Sequence, residues 1–411
     1  MVTLAIRRLT PLFVSLLALG PPLVGQALAH ETGQHAAKDY NHMWRERLEK
    51  APQNAVSLSF DAQGRLWLAR AAGKYVVVSH SDDVGRNFSP AVKVNREAEM
   101  VDGNGENRPK IAVAGGRVYI SWTQSLPQPF SGHVRFAVSG DGGKSFSAPV
   151  TINSDLSPLS HRFDALLADA SGRVTLAWLD GRERARQKDY RGAAVYVAES
   201  RDGGVSFAAN RKLADHSCEC CRIALAAMPA GIPVAFWRQI FDDRSRDFAV
   251  AAVASPDAPQ QTPRRASEDG WKIDACPHHG GDMSIDGEGG WHIAWFTGAE
   301  KNPGLFYRRI DGERMTTPRA FGNLEAQPGH PAVYAIDKKV FLAWQEFDGK
   351  TTSIRLMTSI DRGETWSMPR TAAITNGAAD YPLLVAGQGK VWLAWNSVVE
   401  GLRLFDAAQQ P

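Results

Sequence analysis

Four copies of one short pattern constrain this chain more than any other feature. They read Ser81-x-Asp83-x-Gly85-x-x-Phe88, Ser139-x-Asp141-x-Gly143-x-x-Phe146, Ser200-x-Asp202-x-Gly204-x-x-Phe207 and Ser359-x-Asp361-x-Gly363-x-x-Trp366. Each follows a short alternating segment such as Val134–Val138 and precedes another. The pattern spells a hairpin turn. The Asp carboxylate accepts from backbone N–H groups, Gly supplies a positive φ, and the aromatic ring packs back under the turn. One copy would fix one turn; four in phase imply a chain built from repeats.

A longer unit runs between these turns. Seven segments read apolar strand, Gly-containing turn, apolar strand: Ala55–Arg70, Arg108–Trp122, Arg162–Trp178, Cys221–Trp237, His279–Trp295, His330–Trp344 and Tyr381–Trp395. Their ends recur every 49 to 59 residues. Runs such as Val174-Thr175-Leu176-Ala177-Trp178 are β-rich and almost wholly apolar, as a strand covered on both faces should be. Adding a third strand, the Asp turn and a fourth strand gives a propeller blade of about 50 residues. The expectation is an all-β propeller of four-stranded antiparallel blades: seven by repeat count, six if the first hairpin is used differently. Units four and five keep the strands but only remnants of the turn, at Ser255-Pro256-Asp257 and Ile310-Asp311-Gly312-Glu313. The last unit has three local strands, so the segment near Trp44–Leu48 is expected to supply its fourth and close the ring. The Trp that ends the second strand in six of the seven units is expected to fill the wedge between blades.

The N-terminus reads as an export signal. Arg7 and Arg8 precede the apolar run Leu9–Gly20, and Ala27-Leu28-Ala29 fits an A-x-A cleavage site. The expected organisation is therefore a signal at 1–29, a flexible segment at 30–43 and one propeller at 44–411, in a periplasmic or secreted protein. Removing Arg7 and Arg8 lowers the formal charge from +3 to +1. That near-neutral balance argues against nucleic acid or an anionic membrane as the main partner. No later stretch is long and apolar enough for a membrane helix.

In a propeller, residues just before each innermost strand converge on the central axis. Read along the chain, that position holds Glu106-Asn107-Arg108, His161-Arg162, Cys218-Glu219-Cys220-Cys221-Arg222, Cys276-Pro277-His278-His279, His330 and Asp380-Tyr381. All four cysteines fall in this register, with four of the eleven histidines. Three readings of the cysteines stay open. Export permits disulfides, for instance a bridge from Cys218, Cys220 or Cys221 to Cys276 that staples neighbouring blades. Thiolate with imidazole suits copper or zinc, with Cys218, Cys220, Cys221, Cys276, His278, His279 and His330 as ligands. A redox pair such as Cys220 and Cys221, or Cys218 and Cys221, is the third. Charged loops, including Asp180–Arg191 and Arg238–Asp247, rim the same face.

The four turns resemble the Asp-box, or BNR repeat, of sialidase-like β-propellers, in which these turns lie on the face away from the site. The resemblance implies a sialidase-type glycoside hydrolase: three arginines gripping a carboxylate, a Tyr nucleophile paired with a Glu, and an Asp acid/base. Asn107-Arg108-Pro109 is similar to the family's first-arginine motif, Arg-Ile-Pro, without its Ile. Tyr381 stands where the nucleophile is expected. Arg162 and Arg222 share the axial register, although their flanks depart from the family's. Asp164 and Glu346 are placeholders for the acid and the Glu partner. Cys and His occupy axial positions that a sialidase does not require. The leading expectation is therefore binding, of copper or zinc or of a small anionic ligand held by Arg108, Arg162, Arg222 and Asp380, in a pocket lined by Cys, His and Arg. Hydrolysis of a sialoside is the enzyme alternative. A scaffold for another exported protein is the third class, with Asp180–Arg191 as its contact.

Overall fold

Seven antiparallel sheets follow one another along the chain, each built from consecutive strands. The computed structural model describes residues 53–254 and 262–409. Blade 3 shows the pattern: His161–Ala168 innermost, then Val174–Asp180, Ala193–Ser200 and Arg211–Ser217. The other innermost strands are Val56–Phe60, Lys110–Ala114, Ala224–Ala227, Asp282–Ile285, Gly329–Ile336 and Leu383–Gly387. Each packs beside the next, and the last lies against the first, so the seven close a ring. The architecture is the expected propeller, with seven blades rather than six. Blades 1 to 4 and 6 have four strands each. Blade 5 has an additional short strand, Arg319–Phe321. Blade 7 has three strands within the described residues. The segment expected to complete it, the export signal, residues 30–43 and the Ser255-Pro256-Asp257 remnant lie outside the described residues.

The apolar second strands are covered on both faces: all seven residues of Val174–Asp180 are buried. Trp122, Trp178, Trp237, Trp295, Trp344 and Trp395 are the largest fully buried side chains. Each sits in a core cluster between blades, as the wedge-filling expectation requires. Their indole N–H groups need partners when buried. In three blades the partner is the side chain two residues on: Asp180 for Trp178 at 2.7 Å, Gln239 for Trp237 at 2.7 Å and Glu346 for Trp344 at 2.8 Å. Glu346, which also accepts from Asn323 N at 2.9 Å, is thereby a partner of the blade's own core on its second strand.

The four Asp turns join third and fourth strands. In each, the Ser hydroxyl accepts from the Gly N–H and donates to the Asp carboxylate, as in Gly143 N to Ser139 Oγ at 2.9 Å and Ser139 Oγ to Asp141 at 2.7 Å. Gly143 adopts a φ of +78°. A Cβ there would lie 2.5 Å from the Trp67 ring of the neighbouring blade, so the position needs glycine twice over.

The ring is closed by a buried polar clasp. Asp380 precedes the inner strand of blade 7, and its Oδ2 accepts from Val56 N of blade 1 at 2.9 Å and from Arg108 Nη1 of blade 2 at 2.6 Å. Arg108 Nη1 also donates to Val56 O at 2.7 Å, and its Nε and Nη2 to Gly105 O. Asp380 Oδ1 accepts from Tyr381 N. Three blades are tied by two side chains.

Candidate functional site: a thiol cluster beside an axial Glu–Arg–His–Tyr group

The cysteines meet because two consecutive blade entries run side by side. Cys218, Cys220 and Cys221 lead into the inner strand of blade 4, and Cys276 and His278 into that of blade 5. Cys218 Sγ lies 3.5 Å from Cys221 Sγ and 3.8 Å from Cys220 Sγ. The donor atoms of Cys218, Cys220 and Cys221 all fall within 4.8 Å of one another, and so do those of Cys220, Cys276 and His278. The first group is buried; Cys276 and His278 are exposed. All four cysteines are free thiols, at sulfur separations far beyond the disulfide bond of about 2.05 Å. The expected staple between blades 4 and 5 is thus not what holds them. The buried thiols pack instead among Phe163, Trp237 and Ile223, in the apolar layer between blades 3 and 4.

The cluster is electrostatically prepared for anionic sulfur. Arg246 Nη1 lies 3.3 Å from Cys218 Sγ. The Cys220 and Cys221 thiols donate toward Cys218 and, with Arg238 and Arg246, hold it well below the usual thiol range in spite of its burial. The same sharing pushes Cys220 up, while burial leads the rise at Cys221. Cys276 is lowered by its contact with Cys220. His278 sits at φ +51°, a left-handed conformation that costs a non-glycine residue of order 1 kcal/mol or more.

A second group gathers on the axis. Glu106, from the entry to blade 2, is 1% exposed. One oxygen meets Arg222 Nη1 at 2.6 Å; the other accepts from Arg222 N at 2.9 Å and Gly280 N at 3.0 Å. His330 Nδ1 stands 3.4 Å from the first oxygen. Burial opposes ionisation of Glu106, but Arg222 and His330 outweigh it and hold the carboxyl far below its usual range. A Cβ on Gly280 would lie 2.2 Å from Arg222 Cγ and 2.8 Å from Glu106 Oε2, so the carboxylate and guanidinium close over a bare backbone.

Tyr381 stacks face to face on His330, with ring centroids 3.4 Å apart and 8° between planes. His330 continues the stack to His279 at 4.5 Å, and His279 to Phe296 at 4.2 Å. Tyr381 is half-buried, with Arg108 and Arg222 guanidinium carbons 5.8 and 5.9 Å from its ring centre. Gly105 supports its other edge, where a Cβ would come within 2.4 Å of the ring. Burial, then Glu106, raise the Tyr381 hydroxyl well above its ordinary value. Burial, aided by His330, pushes His279 down to about 3. His330 is lowered by burial as well. His279 is thus neutral at ordinary pH. Burial also brings Lys110 down to about 8, against the pull of Asp164. Its ammonium donates to Arg108 O at 2.8 Å.

The predicted residues therefore divide into two groups. Cys218, Cys220, Cys221, Cys276 and His278 form one; Arg222, His279, His330 and Tyr381 form the other. His279 and His330, expected as metal ligands, stack with Tyr381 and belong to neither group of metal donors. Arg108 and Arg162 are buried against in-chain carboxylates, Asp380 at 2.6 Å and Asp102 at 2.7 Å. Only Arg222 keeps appreciable exposure, at 18% of its side chain. Asp164 is fully buried and accepts from Ser121 Oγ at 2.6 Å. In the rim loop Asp180–Arg191, Asp180 and Arg182 pair at 2.8 Å and are buried, leaving residues 184–189 exposed. Glu106, Gly105, Gly280 and Arg246 were not singled out by their chemistry in sequence, although Glu106 stood in the axial register and Arg246 in a rim loop.

No protein-family model matches the chain, and no curated protein matches it. Among solved structures it is similar to a PL25 ulvan lyase bound to -[GlcA(1-4)Rha3S]-, with a TM-score of 0.58 and 12% identity, covering 88% of this chain and 92% of that one. It is also similar to the polysaccharide lyase Uly1, with a TM-score of 0.51 and 7% identity, covering 86% and 90%. At such identities the likeness concerns the propeller fold.

Proposed function

We propose that this propeller is an exported metal-binding protein whose site consists of Cys218, Cys220, Cys221, Cys276 and His278, with copper or zinc as its ion. One observation carries the reading: five soft or borderline donors from two blade entries converge, with sulfur–sulfur distances of 3.5 and 3.8 Å. Around a metal at about 2.3 Å from each thiolate, neighbouring sulfurs sit roughly 4 Å apart. Buried thiols in an apolar layer gain nothing from that spacing by themselves, whereas thiolates bound to a cation do. Arg246 and Arg238 offset the excess negative charge of a thiolate-rich centre. The test is metal analysis and thiol counting on the purified reduced chain. At least one equivalent of copper or zinc is expected, with none retained in a Cys218→Ser, Cys276→Ser double variant. A wild-type chain that binds neither ion at micromolar concentration overturns the reading.

A second reading concerns the axis. The half-buried Tyr381 ring, beside the partly exposed Arg222, offers a phenol and a guanidinium to one ligand. That set suits an acidic sugar, bound or cleaved, and the propeller is shared with an ulvan lyase bound to a GlcA-containing saccharide. Under this reading a panel of sialosides and uronate-containing polymers yields at least one substrate or ligand, and Tyr381→Phe lowers turnover or affinity at least 100-fold. Silence across the panel removes the axial site from consideration.

A further inference from the structure

The five donors do not form one coordination sphere. They fall into two groups of three that share a single atom, Cys220 Sγ. We infer that the cluster holds two copper(I) ions, one between Cys218, Cys220 and Cys221, the other between Cys220, Cys276 and His278, with the Cys220 thiolate bridging them. The inference rests on the metal-binding reading above and specifies its ion and stoichiometry.

Donor number decides between the metals. Structural zinc closes a tetrahedral shell of four ligands. Each group here offers three, and the fourth and fifth donors belong to the neighbouring group. Copper(I) is soft, prefers thiolate, and is content with three ligands in a plane. A thiolate sulfur has lone pairs enough to bind two ions, which neither an imidazole nitrogen nor a shielded guanidinium could do. Cys220 is also the residue placed to do it: it is flanked in sequence by Glu219 and Cys221, lies between Cys218 and Cys276 in space, and its side chain is buried.

The two positions differ in access. Cys276 and His278 are exposed, so the outer ion enters from solvent; Cys218 and Cys221 are buried, so the inner ion is shielded by the outer one. The outer triad contains the one imidazole, whereas the inner triad is all sulfur.

Anaerobic titration of the reduced full chain with copper(I), in competition with a chromophoric copper(I) chelator, tests this. The expected ratio is two per chain. His278→Ala is expected to reduce it to one, because the inner triad is untouched, and Cys220→Ser to leave no tightly held pair. X-ray absorption of the loaded wild type should show sulfur-dominated three-coordination and a copper–copper path. A ratio of one, or two ions without that path, overturns the bridged pair while leaving a metal site. A ratio of zero, with zinc also failing to bind, overturns the metal reading itself. Retention of both ions by Cys220→Ser refutes the bridge. The wild-type ratio and its spectrum do not depend on any variant folding.

Discussion

Replacing Glu106 with Gln is expected to destabilise the propeller by about 3–5 kcal/mol, the cost of breaking one side of a buried ion pair. The carboxylate is almost wholly shielded and serves four partners: the Arg222 side chain and main chain, Gly280 N and the His330 ring. The amide keeps the shape and one acceptor but withdraws the charge, leaving the largely buried Arg222 guanidinium with only neutral oxygens, among them Pro331 O, as partners. For a chain of this size the loss corresponds to a fall in melting temperature on the order of 5 °C. The pH dependence has a definite sign. The carboxyl is held below its ordinary value of 4.5 in the folded protein. Its contribution is complete above that value and is lost as pH falls toward the folded pKa, because the unfolded chain then binds the proton first. Glu106→Gln should therefore be less stable than wild type at pH 7 and lose less on acidification below 4.5. Denaturant curves at pH 7 and pH 3.5 measure both. Equal sensitivity to acid in the two proteins would contradict the assignment. Pairing the change with Arg222→Met should recover part of the loss, since the uncompensated buried guanidinium is then removed as well.

Asp380→Ala is the second large effect, again about 3–5 kcal/mol, and its signature is local. Burial raises the Asp380 carboxyl in spite of Arg108, which says that desolvation outweighs the ion pair at this position. Removing Asp380 strands Arg108 and also frees Val56 N, so the inner strand of blade 1 loses its tie to blade 7. Asp380→Asn keeps an acceptor for Val56 and should lose less. Hydrogen exchange distinguishes the clasp from general softening. Amides of Val56–Phe60 and Leu383–Gly387 should exchange much faster, with blades 3 to 5 unchanged. Uniform acceleration through all blades would contradict a closing role.

The architecture was legible because its signal is periodic. Seven strand–turn–strand segments and four Asp turns survive loss of the turn in blades 4 and 5, since each unit repeats the same burial problem. The axial register was legible for the same reason, and it contained Glu106, Arg108, Arg222, His279, His330 and Tyr381. Partnership was not. Cys221 and Arg222 are neighbours in sequence, as are His278 and His279, yet each pair divides between the thiol cluster and the axis. The register places a residue at a blade entry but leaves its facing open. Nor could the sequence show that Arg108 and Arg162 were already matched by Asp380 and Asp102, because those carboxylates lie 272 and 60 residues away. The cysteine alternatives turned on sulfur separations of a few ångströms, a scale no spacing argument reaches.

The clasp joins Val56 to Asp380 across 324 residues. Contacts so remote in sequence form late and slowly, since the intervening chain must first be confined. Blades 2 to 6 can assemble as they emerge, whereas blade 1 keeps an unpaired flank until nearly the whole polypeptide has been made. An unfinished or interrupted molecule would therefore display the apolar face of blade 1 that Leu383, Val385 and Leu402 cover in the finished ring, the kind of surface that promotes association. The same topology makes the position of the ends negotiable. Termini moved to the Ser139–Phe146 turn, with the native ends tethered, would bring Val56 and Asp380 close in sequence and shift the remote closure to blade 2, leaving the finished ring unaltered.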